Sequence, residues 1–136
     1  MRTHIITLIL ILICSFGFGQ SECVTTIDYG NNPSAGKYAQ VNGINMYYET
    51  YGDSTKQPLL IIHGNGGSVK SGRCQIEYFK NDYYVIIADS RFQGKSENGD
   101  EELTFKVITE DYNSFIDHLK LDSVYIIGQS DGGIIG

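Results

Sequence analysis

The spacing of apolar and polar positions changes several times along the chain, and each change marks an element. Tyr38 to Val41 and Ile44 to Tyr51 are two runs rich in β-branched and aromatic residues on either side of Asn42-Gly43. Both turn residues tolerate positive φ, so the pattern predicts an antiparallel hairpin. Leu59 to Ile62 is a solid apolar run between Pro58 and His63, as expected of a parallel strand covered on both faces. A glycine-rich loop, His63-Gly64-Asn65-Gly66-Gly67-Ser68, leaves it; a helix over Val69 to Lys80 and a second buried strand, Tyr83 to Ala88 with Asp89 at its end, are predicted next. Ile108, Tyr112, Phe115, Ile116 and Leu119 then recur at helical spacing behind Thr104, which predicts a capped helix with one apolar stripe against a sheet. A third apolar strand, Val124 to Ile127, is expected to be buried and runs into Gly128-Gln129-Ser130-Asp131-Gly132-Gly133. Strands alternating with helices predict an α/β fold of parallel βαβ units, with chemistry collected at the C-terminal ends of the strands.

The first residues read as an address. Arg2 supplies a positive start, Ile5 to Cys14 is an apolar run broken only by Thr7, and Gly17 and Gly19 are the small residues of a cleavage site before Gln20. That run is shorter than the roughly 20 apolar residues a membrane helix needs. The organisation expected is a signal peptide over residues 1–19, an irregular segment over 20–37 and one domain over 38–136, in a protein that is secreted or periplasmic with no membrane anchor after cleavage. The alternative is an uncleaved anchor. Neither Cys14, after Ile13, nor Cys23, after Glu22, has the small preceding residue that a lipid-attachment signal needs.

Composition narrows the function. With 41% hydrophobic and 19% charged residues over 136 positions, the chain has room for one globular domain. A net charge of −6 and the lack of any basic run argue against nucleic acid as a partner. No Cys-x-x-Cys or other metal-ligand spacing occurs, so neither a metal nor an organic cofactor is expected. Gly94-Lys95-Ser96 ends like a phosphate-binding loop, but Asp89 stands where that loop's first glycine belongs; Gly64-x-Gly66 has Val69 where a dinucleotide fingerprint needs its third glycine. Cys23 and Cys74 are permitted to pair in an oxidising compartment, and spacing alone leaves a bridge and two separate thiols equally open.

The chemistry lies in Gly128-x-Ser130-x-Gly132, placed directly after an apolar strand and opening a helix. A sharp strand-to-helix turn strains the serine backbone and lifts its hydroxyl above the sheet, and the flanking glycines admit close backbone approach. The N–H of Asp131 is then aimed where a tetrahedral intermediate develops negative charge, and the loop His63-Gly64-Asn65 offers a second donor, Asn65.

These motifs, in order with the segment Asp89-Ser90-Arg91-Phe92-Gln93-Gly94-Lys95-Ser96 between them, resemble the N-terminal half of an α/β-hydrolase-fold protein. The resemblance covers about Tyr38 to Gly136, and Ser130-Asp131-Gly132-Gly133 is similar to small esterase, lactonase and valacyclovir-hydrolase-like members. It implies an antiparallel hairpin followed by three parallel strands with flanking helices, Ser130 as the nucleophile, and the amides of Asn65 and Asp131 as the oxyanion hole. His63, Gly64, Arg91, Gly128 and Gly132 are expected to shape the loops, with Arg91 a brace more than a substrate contact. One departure is Phe92, where the family normally has glycine, and a bulky residue is costly at positive φ.

In this fold the triad acid and histidine follow the serine along the chain. Only Asp131-Gly132-Gly133-Ile134-Ile135-Gly136 follow Ser130. His63 belongs to the oxyanion loop and His118 to the end of the preceding helix, so neither is expected to act as base. The sequence is accordingly expected to be a fragment, cut after the nucleophile turn and inactive alone, of a serine hydrolase acting on a small-molecule carboxylic ester, lactone or similar acyl substrate. The rival reading is a non-catalytic or degenerate hydrolase-fold binding protein. The preferred substrate and the oligomeric state are left open.

Overall fold

The structure is a computed structural model, and it describes residues 23–136. The expected signal peptide, with its cleavage site before Gln20, lies outside the described residues. Within them, nine elements follow in the order β1 (Gly36–Val41), β2 (Ile44–Tyr51), β3 (Pro58–Ile62), a 3-10 turn (Val69–Gly72), α1 (Arg73–Phe79), β4 (Tyr84–Ala88), α2 (Phe105–His118), β5 (Tyr125–Gly128) and α3 (Gly132–Ile135). The helix expected over Val69 to Lys80 is divided, a 3-10 turn leading into α1.

These five strands form one mixed sheet in the order β1-β2-β4-β3-β5. β1 and β2 are antiparallel about Asn42 and Gly43, whose φ values of 39° and 78° are those of the tight turn that matches strand twist. β2 runs antiparallel to β4, whereas β3 is parallel to β4 on one side and to β5 on the other. The parallel pairs align Leu60 with Ile86 and with Ile126, so β3, β4 and β5 end on the same side of the sheet.

Two apolar layers cover the faces. Ile44, Met46, Leu60, Ile62 and Ile86 pack with Ile108, Tyr112 and Phe115 of α2. On the opposite face Leu59, Ile61, Val85 and Ile87 pack with Val69, Ile76 and Tyr29. Alternation along β3 and β4 sends neighbouring residues to opposite layers, which is why those strands read as unbroken apolar runs. Thr104 caps α2, its hydroxyl accepting the Val107 N–H at 3.2 Å.

Two features bear on how the sheet is covered. β5 is not a buried strand here: among the described residues it borders only β3, and Tyr125 and Ile126 are exposed. Residues 23–35 form no helix or strand but are tied to the sheet. Tyr29 is buried, and the N–H groups of Gly30 and Asn32 donate to the carboxylate of Glu49 at 3.1 and 3.2 Å. Glu49, fully buried on β2, also accepts the hydroxyls of Tyr47 and Tyr51, each at 2.6 Å. Four donors on one carboxylate meet the requirement that a buried charge be hydrogen-bonded.

Candidate active site

Three loops meet at the shared end of β3, β4 and β5. The turn after β5 carries Ser130 at φ 53°, a left-handed conformation that a non-glycine residue enters at a cost of about 1–2 kcal/mol. Ser130 is exposed. What holds it is close packing of main chain. A Cβ on Gly128 would overlap the backbone of Gly132 and Gly133, and one on Gly132 would overlap the carbonyl of Ile62 at the end of β3. Gln129 N–H donates to Ile62 O at 3.0 Å, and Gly132 and Gly133 N–H close the turn on Gln129 and Ser130 carbonyls at 2.9 and 2.8 Å. The strain persists because these contacts over-determine it.

The loop after β3 lies against this turn. A Cβ on Gly64 would stand 3.1 Å from the Ser130 Cβ and 3.0 Å from Gln129 O, so any larger residue would press the two loops a few tenths of an ångström apart. Asn65 follows, and Asn65 and Asp131 line the same cavity of about 200 Å³, floored by the apolar side chains of Ile108 and Ile135 with Leu103 and Phe105 at its lip. Neither Asn65 nor Asp131 donates its N–H to a backbone carbonyl. Ser130 lines a second hollow of about 280 Å³ with Gly64, Asn65 and Gln129, so Asn65 borders both. A further hollow of about 500 Å³ lies away from the turn over Arg91 and Asp111 and is lined by none of these residues.

His63 is buried, and both ring nitrogens are engaged. Nε2 accepts the Ser90 N–H at 3.0 Å, which leaves Nδ1 to carry the proton and donate to Gly64 O at 2.8 Å. The imidazole therefore ties the loop after β3 to the loop after β4. His118 is exposed at the end of α2, and among the described residues no histidine hydrogen-bonds to Ser130.

The loop after β4 is fixed by buried polar groups. Asp89 accepts the N–H groups of Val69 at 2.6 Å and Lys95 at 2.7 Å. Burial nonetheless raises its carboxyl above the usual 3.8, outweighing those two bonds. Arg91, also buried, forks onto Asp111 of α2, Nε to Oδ2 and Nη2 to Oδ1 each at 2.8 Å, and also reaches the carbonyls of Asn42 and Asn98 at 3.2 Å. Its guanidinium is held above its ordinary pKa chiefly by that hydrogen-bonded carboxylate. Phe92 takes φ 66° with its ring half exposed, so the residue standing in the family's glycine position adopts the glycine's conformation. Sequence reasoning did not single out Asp111, Glu49 or the organising role of Asp89. Glu49 is reached from Gly30, 19 positions away, and Asp89 and Asp111 from Val69 and Arg91, each 20 positions away, and no local pattern announces these pairings. Among the described residues no group of three His, Cys, Asp or Glu side chains is placed to hold a metal ion, and no helix is long and apolar enough to cross a membrane.

Comparison with known proteins agrees with this geometry. A family model described as alpha/beta hydrolase fold matches residues 57–136, and the chain belongs to that family. It is similar to epoxide hydrolase 4 of Mus musculus, 29% identical over 111 residues that cover 77% of this chain and 31% of that protein. It is also similar to 3-oxoadipate enol-lactonase 2 of Acinetobacter baylyi, 28% identical over 91 residues covering 67% and 34%. Among solved structures, the enol-lactonase from Burkholderia xenovorans LB400 superposes with a TM-score of 0.70 at 25% identity, covering 74% of this chain and 39% of that one. The chain spans about a third of the length of these curated relatives. Membership, and hydrolase activity as the family's general chemistry, rest on these matches.

Proposed function

We propose that the complete protein containing this chain is a serine hydrolase that cleaves carboxylic esters, lactones or similar small acyl substrates by way of an acyl-enzyme. The observation that carries this reading is Ser130, exposed at φ 53° on the glycine-flanked turn that ends β5, with Gly64 packed against it. Ser130 Oγ attacks the acyl carbon, its proton passes to a general base, and the carbonyl oxygen takes the negative charge. The N–H groups of Asn65 and Asp131, at one cavity and without backbone acceptors, supply the two donors that stabilise it. The alcohol leaves with the proton, and water then hydrolyses the serine ester.

The identity of the nucleophile favours acyl substrates over epoxides, although relatives of both kinds are similar to the chain. A serine opening an epoxide would form an ether, which water does not readily cleave, so turnover would stop after one event. The same serine on an acyl carbon forms an ester, which hydrolyses by the reverse of its formation. His63 is committed to Ser90 and Gly64, so the base in this reading is a histidine outside the described residues, oriented by an Asp or Glu.

The test is steady-state hydrolysis of an aryl acetate and of a simple lactone by the complete protein. Ser130→Ala is expected to lower kcat/KM by about 10³-fold or more, with folding unchanged. Equal turnover by both forms removes Ser130 from the chemistry, and no turnover by either favours the binding-protein reading.

A further inference from the structure

The N-terminal segment and α1 bring together two cysteines that the hydrolase chemistry does not use. Glu77 on α1 receives the Thr25 hydroxyl at 3.0 Å and the Tyr29 hydroxyl at 2.5 Å. Thr25 Oγ1 also accepts the Ile27 N–H at 3.1 Å, so its side chain braces the local chain as well as the helix. Ile27 and Tyr29 pack into the apolar layer that contains Ile76 of the same helix. Residues 25–29 are thus seated along α1 by both polar and apolar contacts.

Cys23 lies two residues before Thr25, within about 7 Å of extended chain. Cys74 lies three residues before Glu77, one turn back on the same helix face and roughly 5–6 Å away between Cβ atoms. Both cysteines are thereby brought to the same end of α1, each partly exposed and free in the structure. In keeping with that placement, the Cys23 thiol is pushed above its ordinary 9.0, first by Cys74, then by burial.

We infer that Cys23 and Cys74 form a disulfide that straps the N-terminal segment to α1. The oxidant is another disulfide, either a low-molecular-weight one or that of a thiol oxidoreductase. One cysteine thiolate attacks it, forming a mixed disulfide and releasing one thiol. The second cysteine then displaces the other half as a thiol, forming the Cys23–Cys74 bond. Two protons and two electrons pass from the cysteine pair to the oxidant, which ends as two thiols. The bridge closes a loop that holds β1, β2, β3 and the loop carrying His63 and Asn65, so it restrains the same face of the sheet that α1 covers. It does not depend on Ser130 being a nucleophile.

The purified complete protein, treated with oxidised glutathione, alkylated and digested without reductant, is expected to yield a peptide pair joined through Cys23 and Cys74. The oxidised form is expected to melt roughly 5 °C or more above the reduced form. That difference should vanish in Cys23→Ser and in Cys74→Ser. Recovery of both cysteines as alkylated thiols or as separate glutathione adducts overturns the inference, as does a bridge from either one to a different cysteine. Because the peptide map is read on the unaltered sequence, poor folding of a serine variant leaves that outcome decisive.

Discussion

The Nε2 atom of His63 accepts the amide hydrogen of Ser90 at 3.0 Å, joining the loop after β3 to the loop after β4. His63→Ala would leave the buried Ser90 N–H without an acceptor, at a cost of about 1–3 kcal/mol. A corresponding drop in the denaturant midpoint is expected. A variant of unchanged stability whose turnover is abolished would instead make His63 the base.

Arg91 and Asp111 form the second tie, between the loop after β4 and α2. Both groups are buried and the guanidinium is doubly bonded to the carboxylate, so removal of one partner strands the other as an uncompensated charge. Asp111→Ala is expected to destabilise the fold by about 3–5 kcal/mol, seen in equilibrium unfolding. A loss below about 1 kcal/mol, the range of exposed pairs, would contradict the structural role given to Arg91.

Strain at Ser130 sets stability against function. Ser130→Gly relieves the left-handed conformation and is expected to raise stability by about 1 kcal/mol while abolishing ester turnover. Thermal melting beside an activity assay reads both. If the glycine variant melts lower than the parent, the turn does not store the strain its φ indicates.

The N-terminal segment should loosen in acid. Glu77 is held below its ordinary 4.5 by hydrogen bonding first to Lys80 and then to Tyr29 and Thr25. A carboxylate depressed in the folded state contributes stability that is complete above its unfolded pKa and is lost as the pH falls through the lower folded value. Amide exchange over residues 25–32 is therefore expected to accelerate below pH 4.5, and Glu77→Gln to remove that step. Exchange independent of pH after correction for intrinsic rates would break the assignment.

The strands, α2 and the nucleophile turn were legible because each rests on local signals: period, caps and glycine spacing. The turn even declared its strain, since Gly128 and Gly132 make sense only if backbone passes where their Cβ atoms would be. The buried carboxylates were not legible. Asp89, Asp111 and Glu49 look like surface charges in sequence, and only the meeting of distant segments shows what they hold. The apolar run of β5 reports a strand suited to two neighbours, and the described residues place just one beside it.

Everything proposed for catalysis turns on the reactivity of one hydroxyl. Reaction of the complete protein with a fluorophosphonate probe, followed by mass-spectrometric mapping, is expected to place one phosphonyl adduct on Ser130 and none on Ser130→Ala. An adduct on another residue, or equal labelling of the alanine variant, would contradict that role.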